Sequence, residues 1–148
     1  MSNQTIAQQR AKHALQVVCG AKEYKEKSFC EYKRDEQKKL NSYIANLGPM
    51  ILMNGLGQAA AFYRSNNNKE HKEVYEALAD WLSQPGRPYA GSKDLMNAIT
   101  SSSAAEYRLA QMEALAYLDW LKKFGKAFLI REEDSAPETA EAIEEGDK

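Results

Sequence analysis

Residues 103–129 read SAAEYRLAQMEALAYLDWLKKFGKAFL, and this stretch decides the fold. Apolar side chains recur along it every three or four positions, which is the spacing of one face of an α-helix. They are Tyr107, Ala110, Ala114, Tyr117, Leu121, Phe124 and Phe128, and the face is widened by Met112, Leu115, Leu118 and Leu129. Ser103 and Glu106 match the capping box that begins a helix. A helix this apolar has to be covered by others in a soluble protein, so the stretch predicts the central helix of an all-α domain.

Further helices are predicted before this stretch, which gives a compact single-domain bundle of about five to six helices over residues 1–131. Thr5 and Gln8 form a second capping box at the start of the first helix. Gly48 and Pro49 are predicted to separate the second helix from the third, because proline is well suited to a first helical position. The predicted ranges are 5–19, 35–46, 49–64, a fourth helix over 69–83 capped by Asn67, and a short fifth helix capped by Ser92.

The charge is distributed unevenly along the chain. Residues 132–148 contain eight acidic residues and one lysine, a net charge of −7, whereas the other 131 residues contain 19 basic and 13 acidic residues, a net charge of +6. The C-terminal segment also has few large apolar side chains, so it is predicted to be a disordered tail. The mildly basic body can contact nucleic acid, or its lysines can simply be solvated.

Several classes of protein are disfavoured by what the sequence lacks. No apolar run reaches the roughly 18 residues of a membrane helix, and the N-terminal residues do not resemble a signal peptide. A cytoplasmic protein is therefore expected, with Cys19 and Cys30 reduced. The sequence has no zinc-ligand spacing, phosphate-binding loop or nucleophile elbow, so no metal or cofactor is predicted.

Two groups of basic residues are candidate RNA contacts. Helical spacing places Lys122, Lys123, Lys126 and Arg108 on one arc of the central helix. The second group surrounds the start of the second helix and consists of Arg34, Lys38 and Lys39. Lysines along helix faces bind phosphates without sequence preference, but exposed aromatic residues for base stacking are not evident.

The third predicted helix is apolar nearly all round, except for a thin arc of small or amide residues that includes Asn54, Gly57 and Gln58. These residues are predicted to form an interface where another helix approaches closely. Glycine in a helix costs about 1 kcal/mol relative to alanine, so Gly57 needs such a reason.

Arg10 and Glu113 each carry a charge among apolar neighbours on their own helices. Removing an unpaired ion from water costs several kcal/mol, so the two are predicted to pair across the first and central helices. Arginine suits this role because its planar guanidinium group can form two hydrogen bonds with a carboxylate. The alternative for Glu113 is a buried catalytic acid.

Three blocks of this sequence resemble the small helical subunit of the Cmr (type III-B) CRISPR effector complex. The most specific block is Glu113-Ala114-Leu115, then Tyr117-Leu118, then Trp120 to Phe124. The second block runs from Pro49 to Phe62 and includes Asn54-Gly55-Leu56-Gly57-Gln58. The third is Gln9-Arg10-Ala11 with Ala14, and the likeness spans about residues 6–130.

The resemblance implies a structural subunit without catalysis of its own. Copies of such a subunit stack into a minor filament beside other subunits of the complex, lining the channel that holds guide RNA and target RNA. Base pairing supplies specificity there, so a protein in this position needs only shape and charge. Two alternatives remain open: a helical adaptor between proteins without direct RNA contact, and a small enzyme that uses Glu113.

Truncation of the chain after Arg131 should leave the melting temperature nearly unchanged. The removed segment has almost no apolar surface to bury, so it contributes little to folding free energy. Thermal unfolding followed by circular dichroism measures this, and a large drop in melting temperature would mean that the segment docks stably on the domain.

Overall fold

The computed structural model describes residues 3–20 and 22–131, so the predicted tail lies outside the described residues. The described chain is all-α, as predicted, and no strand occurs in it. Its elements are α1 (Ile6–Cys19), a 3-10 turn (Phe29–Glu31), α2 (Arg34–Asn54), α3 (Leu56–Ser65), α4 (Lys69–Leu82), α5 (Leu95–Ser101) and α6 (Ala104–Phe128).

Helix α6 is the centre of the bundle and packs against α1, α2 and α4. Its predicted capping box is present, since Ser103 Oγ accepts from Glu106 N–H at 3.1 Å and Ser103 N–H donates to Glu106 Oε1 at 2.9 Å. The residues that line the core are Ala110, Ala114, Tyr117 and Leu121, all fully buried. However, the apolar surface of α6 is not fully covered as expected, because Leu109 and Met112 are 59% and 66% exposed. One apolar strip of this central helix therefore reaches the surface of the domain.

The predicted break at Gly48-Pro49 is wrong, because α2 continues through both residues to Asn54. A residue before proline avoids the helical conformation mainly because its Cβ and N–H meet the proline ring, and Gly48 has no Cβ. Leu47 and Ile51, on either side of the proline, are buried in the core and hold the helix against it. Burial of these side chains outweighs the local cost of the proline.

The break falls at Gly55 instead, with φ 90° and ψ 156°, a conformation open essentially to glycine alone. Helix α3 starts there without a cap from its own sequence. Two side chains of α6 supply it: Gln111 Oε1 accepts from Leu56 N–H, and Tyr107 Oη accepts from Gly57 N–H, both at 2.8 Å. The turn between α2 and α3 is thus fixed by the central helix.

Two predicted caps are displaced by a residue or two. Asn68 caps α4 in place of Asn67, because its Oδ1 accepts from Glu70 N–H at 2.8 Å and from His71 N–H at 3.3 Å. Asp94 rather than Ser92 occupies the cap of α5. The capping box of Thr5 and Gln8 at α1 is confirmed.

Helix α6 runs parallel to α1 and antiparallel to α2. Arg10 and His13 of α1 meet Glu113 and Tyr117 of α6 in the same chain direction. Along α2, by contrast, Asn41 meets Gly125, and Gly55 at the far end meets Tyr107 and Gln111. This antiparallel contact places the start of α2 beside the end of α6. Neither helix, nor any other described one, combines the length and apolarity needed to cross a membrane.

Replacing Gly55 with alanine should lower the free energy of unfolding by about 1–3 kcal/mol, because φ 90° strains any residue with a Cβ. The added methyl would also lie 3.2 Å from Tyr107 Oη. Gly57→Ala is the matched control, since its Cβ would meet the same tyrosine at an ordinary 3.5 Å. Urea denaturation measures both, and equal stability of Gly55→Ala and the parent would contradict this account of the turn.

Candidate nucleic-acid interface

The junction between α2 and α6 is made by two amide side chains of α2. Asn41 donates from Nδ2 to the carbonyl oxygens of Gly125 at 3.2 Å and Ile130 at 3.4 Å. Gln37 accepts from Ile130 N–H at 3.0 Å through Oε1. Its Nε2 donates to the carbonyl oxygens of Cys30 and Tyr32 at 3.1 and 2.8 Å. Gln37 therefore joins the segment before α2 to the segment after α6.

Helical spacing places four of the predicted basic residues near this junction. Lys38 and Arg34 lie on the α6 side of α2, since they precede Asn41 by three and seven residues. On α6, Lys122 precedes Gly125 by one turn and Lys126 follows it directly. A Cβ on Gly125 would lie only 3.0 Å from Asn41 Oδ1, so the two helices approach closely here. We call Arg34, Lys38, Lys122 and Lys126 the basic end.

The other predicted RNA-binding residues, Lys39, Arg108 and Lys123, do not belong to the basic end. Lys39 is two residues from Asn41 and so projects from the opposite side of α2. Arg108 shares the arc of Lys122 but lies 14 residues away, about 21 Å along the helix. Lys123 is close to the basic end, but its Nζ pairs with Asp119 Oδ2 at 2.8 Å, and both side chains are exposed.

Two exposed aromatic residues were missed in the sequence. Phe62 and Phe128 are 49% and 52% exposed. Phe128 belongs to the last turn of α6, where its ring centroid is 6.2 Å from that of Phe124. Phe124 is in turn 5.7 Å from Trp120. Trp120, Phe124 and Phe128 recur every four residues, and this helical spacing was the signal that could have revealed the row of rings in the sequence.

The structure brings Arg10 and Glu113 together. Arg10 Nε donates to Glu113 Oε2 at 2.6 Å, and Nη2 donates to Oε1 at 3.0 Å. Trp81 of α4 adds a third bond, from Nε1 to Oε2 at 2.9 Å. Burial opposes ionisation of Glu113, but the bonds from Arg10 and Trp81 outweigh it and hold the pKa of the carboxyl below its usual value. Both carboxylate oxygens are therefore engaged, and the group is ionised at neutral pH.

A second, partly buried polar cluster lies one turn further along α1. His13 Nδ1 is 2.7 Å from Tyr117 Oη, and His13 Nε2 is 2.7 Å from Asp80 Oδ2. Trp81 stacks on Tyr117 with ring centroids 5.4 Å apart. No pattern in the sequence pointed to this cluster, because its members come from three different helices. Among the described residues, no group of three histidine, cysteine, aspartate or glutamate side chains could hold a metal ion.

The predicted interface residues have different environments. Gly57 is used inside the domain, where a Cβ added to it would lie 3.4 Å from Ile99 and 3.5 Å from Tyr107. Asn54 and Gln58 lie at the same turn, outside the core. Leu52 and Met53 just before them are 72% and 84% exposed, so this end of the domain presents apolar surface.

The fold is that of a small all-α protein built around one long, capped helix. The sequence model of the CRISPR-associated protein family Cas_Cmr5 matches residues 6–128, and the chain belongs to this family. A crystal structure of a CRISPR-associated Cmr5 family protein from Thermus thermophilus has the same fold, with a TM-score of 0.65. The two sequences are 24% identical, over 84% of this chain and 98% of that one. Family membership supports a role as a subunit of a type III-B Cmr complex.

Breaking the Arg10–Glu113 pair should destabilise the domain strongly, because the remaining charge is left without its partner. Loss of one member of a buried pair costs about 3–5 kcal/mol, and we expect the lower part of that range because the Arg10 side chain remains 20% exposed. A double-mutant cycle of Arg10→Met and Glu113→Gln keeps an acceptor for Trp81 and isolates the coupling.

The matched control for this cycle is the exposed pair Asp119–Lys123, whose side chains are 66% and 64% exposed. Its coupling should be no more than about 0.5 kcal/mol. The account would be contradicted if the losses of unfolding free energy from Arg10→Met and Glu113→Gln were additive. It would also be contradicted if the two pairs had equal coupling energies, because the buried pair would then not hold the helices together.

Proposed function

We propose that this chain is a non-catalytic structural subunit of a type III-B Cmr complex, stacking with further copies into a minor filament beside the guide and target RNA. In this proposal the basic end contacts RNA phosphates. The observation that supports it is the α2–α6 junction, where Gln37 and Asn41 bind the end of α6 and the segment after it, beside the parts of the chain that carry the two groups of basic residues. Such an array binds the phosphate backbone without reading sequence, as suits a protein beside base-paired RNA.

The environment of Glu113 supports a non-catalytic role. Its lowered pKa makes it a poor proton donor at neutral pH, and its oxygens already accept from Arg10 and Trp81. A purified chain that cleaves RNA, with the cleavage lost in a folded Glu113→Gln variant, would restore the enzymatic alternative.

The apolar end of the domain supports contact with other protein chains. Leu52 and Met53 precede Gly55, which lies against Gln111, and Met112 follows Gln111 directly. Exposed apolar side chains grouped in this way are typical of protein interfaces. Asn54 and Gln58 lie beside them, so we assign these two residues to contacts between stacked copies or with other subunits. The same surface favours the second candidate, a helical adaptor that does not contact RNA.

Reversing the charge of Lys122, Lys123 and Lys126 to glutamate should weaken binding of unrelated single-stranded RNAs to a similar extent and flatten the salt dependence. The control variant reverses Lys12, Lys72 and Lys93, which changes the net charge equally at residues that belong to neither α2 nor α6. Fluorescence anisotropy over a range of salt concentrations measures both. Equal losses in the two variants would indicate a general effect of charge, and no loss in either would favour the adaptor.

A further inference from the structure

We propose that the acidic segment, residues 132–148, binds the basic end of its own chain and competes there with RNA. The inference rests on the proposed function, because it concerns the same surface. It gives the segment a role that folding does not require: keeping the free subunit away from unrelated nucleic acid.

The first support is the point where the segment begins. Ile130 is held to α2 through its N–H by Gln37 and through its carbonyl oxygen by Asn41. The chain therefore reaches Arg131 at the α2–α6 junction, directly beside the basic end. Helix α6 ends at Phe128, and Lys126 and Lys122 lie two and six residues before that end, about 3 and 9 Å along the helix.

The second support is charge complementarity. The segment carries a net charge of −7 and the rest of the chain a net charge of +6. Its acids are spread over its whole length: Glu132, Glu133, Asp134, Glu138, Glu141, Glu144, Glu145 and Asp147. A chain of carboxylates offers lysines the same kind of partner as a chain of phosphates, although with a lower charge density. The ligand class is therefore shared by the segment and RNA.

Tethering makes this competition effective. Seventeen residues span up to roughly 56 Å when fully extended, far more than the distance to any member of the basic end. A short tether of this kind gives an effective concentration in the millimolar range. Individual ion pairs between exposed groups are weak and screened by salt, so the contact forms and breaks readily. A denser row of phosphates, as in RNA fixed within an assembled complex, can displace it.

The test compares RNA binding by three forms of the chain. They are the full chain, the chain ending at Arg131, and a full-length form in which the eight acids of the segment are changed to the corresponding amides. A fluorescently labelled poly(U) RNA of about 20 nucleotides is the probe. At about 0.1 M salt both altered forms should bind roughly three- to tenfold more tightly than the full chain, and the difference should vanish near about 0.5 M. The amide form retains the length of the segment, so it separates charge from steric blocking.

A second measurement locates the contact without RNA. Zero-length carbodiimide crosslinking of the full chain should join carboxylates of the segment to Lys38, Lys122 and Lys126, and added poly(U) should abolish these crosslinks. Crosslinks that form as often with Lys12 and Lys93 as with Lys38, Lys122 and Lys126 would overturn the assignment of the basic end. Long-range repulsion between the acidic segment and RNA would then be the only remaining effect of the segment.

The outcomes distinguish this inference from the proposed function. If the three forms bind RNA equally while charge reversal at Lys122, Lys123 and Lys126 still weakens binding, competition by the segment is wrong and the RNA contact stands. If no form binds RNA through these lysines, the proposed RNA contact fails, and competition for it fails as well.

Discussion

The bundle depends on one constraint, a carboxylate on the inner side of its central helix. Glu113 lies between the buried residues Ala110 and Ala114 and cannot stay ionised there without donors. Arg10 from α1 and Trp81 from α4 supply three hydrogen bonds, so a single side chain fixes the position of three helices. The contact of His13 with Tyr117 and Asp80 repeats the same three-helix arrangement one turn further on. Polar groups thereby set the register within a mostly apolar core.

Helix α6 also organises the rest of the chain through its own polar side chains and backbone. Near its start, Tyr107 and Gln111 cap α3 and hold the turn at Gly55. Near its end, the carbonyl of Gly125 anchors Asn41 of α2. Gln111 and Gly125 are 14 residues apart, about 21 Å along α6, and the two contacts run in the opposite direction along α2, so they define how α2 lies on α6. The domain therefore has an apolar end and a basic end, and both α2 and α6 contribute residues to each.

Much of the fold could be predicted from sequence where the signal was local. The capping boxes of Ser103 and Thr5, and the extent of α6, follow from residues within a few positions of one another. The pairing of Arg10 with Glu113 could be proposed because each charge stood out on its own helix. The prediction at Pro49 fails for the opposite reason: local propensity favoured a break, but burial of Leu47 and Ile51 outweighs it. The grouping of Lys38 with Lys126 depends on the bonds from Asn41 to Gly125 and from Ile130 to Gln37, which span 84 and 93 residues, and no local pattern reveals this.

The central claim is that the α2–α6 junction forms the RNA-facing surface of the subunit. It is tested most directly by photo-crosslinking in a reconstituted Cmr complex whose target RNA carries 4-thiouridine, with crosslinked peptides of this chain identified by mass spectrometry. The account predicts crosslinks within residues 34–41 and 122–131. The second range includes Phe128, an exposed aromatic residue two positions after Lys126. Crosslinks confined to other parts of the chain, such as the connection over residues 83–94, would contradict it.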